Sequence, residues 1–128
     1  MSYYFARTLD MPFDAAIARV GEALRGEGFG VLSDIDVGGT LQQKLGVTFR
    51  RYRILGACNP GFAHKALQIE DKVGTMLPCN VVVQEAGEGR TEVAIIDPVA
   101  SMQAIDNPQL REVAGTVQAK LRAVIAAL

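Results

Sequence analysis

The segment Ala57-Cys58-Asn59-Pro60 constrains the fold of this chain more tightly than any other four residues. Proline has no amide hydrogen to give to a strand ladder, and its fixed φ suits the first turn of a helix. Asparagine just before it is a favoured helix cap. A strand arriving over residues 50–58 must therefore stop here and become a helix. A second corner, Leu77-Pro78-Cys79-Asn80, works in the opposite sense, closing a turn and opening a strand. Each corner sets a cysteine beside an asparagine and a proline, where the chain changes direction.

The rest of the chain can be read outward from these corners. Tyr3, Phe5 and Leu9 alternate and predict a strand over 2–9, after which Asp10-Met11-Pro12 opens a helix to about residue 27. Phe13, Ile17, Val20 and Leu24 make its apolar stripe, and Gly26 and Gly28 end it. Residues 29–37 read as a strand, with Phe29, Val31, Ile35 and Val37 on one face and Leu32, Asp34 and Asp36 on the other. Thr40 is then expected to cap a short helix over 41–45 ending at Gly46. The strand over 50–58 puts Tyr52, Ile54 and Cys58 on one face and Arg51, Arg53 and Leu55 on the other. Asn59 caps the helix from Pro60 to about residue 70, and 71–78 is a turn. Two strands, 79–86 and 91–97, flank Gly87-Glu88-Gly89-Arg90, a hairpin by length and glycine content. A short helical piece over 98–105 precedes a last helix opened by Asn107-Pro108, striped by Leu110, Val113, Val117, Leu121, Val124 and Leu128.

Five strands, three substantial helices and one hairpin predict an α+β fold: a two-layer sandwich with a mostly antiparallel sheet and helices packed on one face. The 128 residues suit one domain spanning 1–128, since a core of that size buries most of its own surface. Asp34, Asp36, Arg51 and Arg53 are expected on the sheet's wetter, helix-free face as cross-strand pairs.

Composition narrows the partners. Charged residues make up 21% and the net charge is −1, with signs interspersed, so nucleic acid is not expected as a partner. Apolar runs are only a few residues long, which argues against a membrane-spanning segment, and the first residues lack the charged start and apolar run of a signal peptide. A cytoplasmic location is the resulting expectation, and there the two cysteines would stay reduced.

Chemistry then centres on Cys58. It precedes the N-terminus of the 60–70 helix, whose unpaired amides favour a nearby thiolate. His64, the only histidine, sits just over one turn inside that helix, and helical side chains lean back toward the N-terminus. If the strands bearing Cys58 and Cys79 are neighbours, two thiols and one imidazole (Cys58, Cys79, His64) form a candidate site for a soft metal ion. Asn59 and Asn80 are its candidate polar groups. The alternative for both cysteines is plain packing, because free cysteine behaves as a small hydrophobe. Gly38-Gly39-Thr40 is a weaker candidate, for an anion, without the lysine of a P-loop.

Several segments together resemble one family. They are Glu27-Gly28-Phe29-Gly30-Val31-Leu32, Thr40-Leu41, Lys44-Leu45-Gly46, Tyr52-Arg53-Ile54-Leu55-Gly56-Ala57-Cys58-Asn59-Pro60, Ala63-His64-Lys65-Ala66-Leu67, Gly74 and Leu77-Pro78-Cys79-Asn80-Val81-Val82-Val83. Across nearly the whole chain this is similar to domain of unknown function 302; Gly61-Phe62 and 71–76 look more individual. The resemblance implies a compact α+β domain, often a homodimer, with no established activity.

Three readings follow. In the first, the cysteine corner is a pocket that binds a small molecule or soft metal ion, anchored by Cys58 and bounded by His64, Cys79, Asn59 and Asn80. In the second, Cys58 is the nucleophile or redox thiol of an enzyme, with His64 as its base and Cys79 as resolving thiol. In the third, both cysteines are core and the last helix forms a dimer contact.

Overall fold

The computed structural model describes residues 2–128. In chain order the elements are β1 (Tyr4–Leu9), α1 (Phe13–Gly26), β2 (Gly30–Asp36), α2 (Val37–Leu45), β3 (Tyr52–Cys58), α3 (Pro60–Ile69), a 3-10 helix (Asp71–Met76), β4 (Cys79–Glu85), β5 (Thr91–Ile96), α4 (Pro98–Ser101) and α5 (Pro108–Ala126). The five strands form one sheet in the order β1-β5-β4-β3-β2, every pair antiparallel. This is the expected α+β arrangement, with α1 and α5 lying across one face.

Alternation decides what that face holds. Leu9, Leu55, Ala57, Cys79, Val81, Val83, Val93 and Ile95 point under the helices and pack on Phe13, Ala16, Val20 and Leu24 of α1 and on Val117, Leu121 and Val124 of α5. A smaller cluster of Ala66, Val73, Met102, Leu110 and Ala114 joins α3, the 3-10 helix, α4 and the start of α5. Asp97 ties the two regions together: it caps α4 by accepting from the Val99 amide (3.0 Å) and also accepts from Gln118 Nε2 of α5 (3.0 Å). Buried Thr91 donates to the Met11 carbonyl at 3.0 Å, anchoring the chain just before α1.

Four local expectations need correction. The helix expected over 41–45 starts at Val37, and its cap is Asp36, whose carboxylate accepts from the Gly39 amide at 2.9 Å; Thr40 instead donates back to the Asp36 carbonyl. An aspartate at the end of a strand is a better acceptor for those amides than a threonine four residues later. The turn over 71–78 contains a full 3-10 helix around buried Val73. The strand β2 is exposed along its length and carries an irregularity between Val31 and Ser33, so simple alternation fails there. Finally, Asp34, Asp36, Arg51 and Arg53 lie on the helix-bearing face. Arg53 pairs in register with buried Val83, and Arg51 reaches Asp14 at the start of α1 at 2.8 Å with its guanidinium over the Phe13 ring. Those charges stay solvated because α1 begins there and leaves the sheet corner uncovered.

Gly56 on β3 has no room for a side chain: a Cβ there would collide with Ser33 Oγ and stand 2.6 Å from the Pro78 ring. Gly56→Ala is therefore expected to lose about 1–3 kcal/mol of stability, measured by urea denaturation. Gly30→Ala on the adjacent strand, with open space at its Cβ, should change stability far less.

Candidate functional site

The two cysteine corners meet because β3 and β4 are neighbours. Ala57 pairs directly with Cys79, which puts Cys58 one residue along the adjacent strand. At this end of the sheet a cavity of about 320 Å³ opens between the strand ends, α3, the segment before β4, α4 and α5. It lies on the seam between the two hydrophobic clusters: Phe29, Cys79 and Val117 belong to the larger, Ala66, Met102 and Ala114 to the smaller. Its cause is visible in the side chains. Ala57, Ala63, Ala66, Gly74 and Ala114 all face it, and residues this small leave the space between sheet and helices unfilled.

The sequence candidates divide at this cavity. Cys58, Cys79 and Asn59 line it; His64 and Asn80 do not. His64 is exposed on α3, while Ala63 and Ala66 face inward, so the turn of the helix carries the imidazole away from the thiols. Asn80 alternates with buried Cys79 and Val81 and therefore sits on the other face of the sheet, beside Tyr52 and Val82. The proposed Cys58, His64, Cys79 metal set is not assembled: among the described residues no three His, Cys, Asp or Glu side chains converge as metal ligands. The same geometry removes His64 as a base for Cys58.

Asn59 also differs from expectation. It occupies the N-cap position of α3 but makes no side-chain capping bond. Its Nδ2 instead donates to the Glu27 carbonyl over 3.5 Å, linking the mouth of the cavity to the loop after α1. Gly28 makes this possible. With φ of +85° and a Cβ position only 3.1 Å from Asn59 Nδ2, it accepts no side chain without strain.

Electrostatically the cavity is quiet. Among the described residues no charged side chain lines it. Burial, with a smaller contribution from neighbouring Cys58, pushes the Cys79 thiol up from the ordinary 9.0 to about 11, so it stays a neutral hydrophobic wall across physiological pH. That is the opposite of an activated nucleophile. The residues that sequence reasoning missed are the apolar ones, Phe62, Leu77, Met102 and Val117; the available signal was the run of small residues on α3, whose inward face is too slight to fill a core.

A second, polar hollow of about 530 Å³ lies at the uncovered corner between β2, β3 and the start of α2, lined by Asp34, Asp36, Arg51 and Arg53 among others. Its charges answer one another. Arg53 pairs with Asp34 and holds that carboxyl below its usual value, and Arg51 does the same to Asp14. The Gly39 amide, the donor expected to meet an anion, is taken by Asp36.

Because Cys79 binds its proton more tightly folded than unfolded, its contribution to stability is complete below pH 9 and is lost as pH rises from about 9 to about 11. Wild type should therefore lose roughly 2–3 kcal/mol more than Cys79→Ala over that window, read from paired denaturation curves.

A family model, Domain of unknown function DUF302, matches residues 5–128. The chain is also similar to the crystal structure of an uncharacterized conserved DUF302 protein from Bacillus stearothermophilus. The two are 30% identical and superpose with a TM-score of 0.90 over 99% of this chain and 98% of that one. No curated protein matches. With the family model covering almost its entire length and the sheet, helices and corners in their expected order, the chain belongs to the DUF302 family.

Proposed function

We propose that this protein binds a small, uncharged, largely apolar molecule in the cavity at the cysteine corner. One observation carries the reading: an open apolar cavity, at the lower end of the size range of small-molecule sites, has both cysteines on its walls and no charge among its lining residues. A carboxylate or ammonium entering it would lose its hydration and find no partner, a cost of several kcal/mol, so the site selects against ions. The two thiols and the Asn59 amide are the polarizable and polar features that orient an occupant; Phe62, Met102 and Leu77 supply contact area. Cys79 serves as wall, and Cys58, half-buried at the strand end, stands nearer the mouth.

A neutral fluorescent probe, N-phenyl-1-naphthylamine, tests this directly. Saturable binding at one site per chain is expected, and Ala63→Phe, which fills the cavity from the half-buried wall of α3, should weaken it at least about tenfold with little change in thermal stability. Probe binding that never saturates, or that survives Ala63→Phe unchanged, would sink the proposal.

A further inference from the structure

We propose that the occupant of the cavity is an alcohol, a small neutral hydrocarbon whose hydroxyl donates to Oδ1 of Asn59 at the mouth. This rests on the apolar-cavity reading above and names the class of molecule that the site takes.

Asn59 carries the argument. Among the described residues it is the one on the cavity wall whose side chain is a strong hydrogen-bonding group, since the two thiols donate and accept only weakly. It stands at the N-cap of α3, yet its side chain makes no capping bond. Its Nδ2 is turned instead to the Glu27 carbonyl. The amide stands only this way round, because exchanging its two ends would set two carbonyl oxygens against each other. Oδ1 is therefore left over. A Cβ on Gly61 would lie 3.8 Å from it, which places the oxygen over the first turn of α3. Among the described residues no group donates to it.

The cap that Asn59 forgoes leaves partners of the opposite kind beside it. Pro60 has no amide hydrogen, and the Gly61 and Phe62 amides have no capping side chain. One acceptor and two donors thus lie within a single turn. A hydroxyl answers both, since the same oxygen donates one hydrogen bond and accepts another. An ether or ketone meets only the amides and leaves Oδ1 desolvated without a donor. A carboxylate brings its own lone pairs toward Oδ1 and finds no cation on the wall, and an ammonium finds no anion.

Exposure shows which end of the molecule lies where. Leu32 is 71% exposed and Leu67 43%, although both line the cavity, so they mark its mouth. Asn59 is half-buried, whereas Phe29, Met102 and Val117 are buried walls. The hydroxyl accordingly sits at the mouth and the hydrocarbon points inward. At roughly 30 Å³ per non-hydrogen atom, the share of a water molecule in the liquid, 320 Å³ admits about ten such atoms.

Two isomers of that size, 1-nonanol and methyl octyl ether, separate this assignment from the existence of the cavity. They contain the same atoms, and only the first has a hydroxyl. Each is titrated against the full chain loaded with N-phenyl-1-naphthylamine, and displacement is read by fluorescence. Nonanol should displace the probe at about a fivefold lower concentration than the ether. Asn59→Ala should bring the two within about twofold, by weakening nonanol rather than by strengthening the ether. Asn59→Leu, close to asparagine in size, should do the same and supplies the reading if the smaller variant melts early. Equal displacement by the two isomers in wild type overturns the alcohol assignment and leaves the cavity reading standing. So does a preference for nonanol that survives both substitutions, or a saturably bound probe that neither isomer displaces. A probe that never saturates removes the cavity reading and the alcohol with it.

Discussion

The pairing of β3 with β4 is the contact on which everything else in this molecule depends. It brings residues twenty-two positions apart in sequence into one row, Ala57 against Cys79, and so makes a single place out of two separate corners. It also needs Gly56, since Ser33 and the Pro78 ring close over that position and leave no space for a methyl group. The same approach of the segment before β4 to the end of β3 puts Leu77 and Pro78 on the wall of the cavity.

The cavity is a consequence of how the core is divided. One cluster lies between the sheet and the α1/α5 layer, the other between α3, the 3-10 helix, α4 and the first turns of α5. Alanine and glycine line the seam from both sides, among larger apolar residues such as Phe62, Leu77 and Met102. Small residues in a core normally let elements approach closely until the gap is gone. Here Phe62, Leu67 and Leu77 line the gap beside those small residues, and Val73 is buried with Ala66 of α3 in the smaller cluster, so the gap stays bounded on every side by apolar groups. The proposed occupant sits at the end of the sheet beneath α3.

Polar groups in this protein mostly organise the frame. Asp97 joins α4 to α5, Asn107 caps α5 through the Gln109 amide at 2.9 Å, Asp36 caps α2, and Arg51 holds the start of α1 through Asp14. The buried side-chain polar atoms among the described residues all have partners. Cys79, pushed toward neutrality by its burial, takes part in the same economy as a piece of core.

The elements themselves were legible from the chain, because each rests on local rules. Asn59-Pro60 and Asn107-Pro108 mark helix starts whatever surrounds them, the four residues 87–90 force a hairpin, and the stripes of α1 and α5 require a sheet to bury them. The site was legible only in part. Cys58, Asn59 and Cys79 were identified because strand-to-helix and turn-to-strand corners fall at the same end of a sheet. His64 and Asn80 were misplaced because helical lean and strand parity act through geometry that one misjudged residue inverts: His64 turns outward beside inward Ala63, and Asn80 takes the face opposite Cys79.

Local chemistry thus determines where this chain bends, which segments pair and which stripes must be buried, since caps, prolines and periodicity act within a few residues. Only the folded chain decides where matter is missing and which surface lacks a cover. Both are differences between distant side chains brought face to face, and no short stretch of sequence contains them.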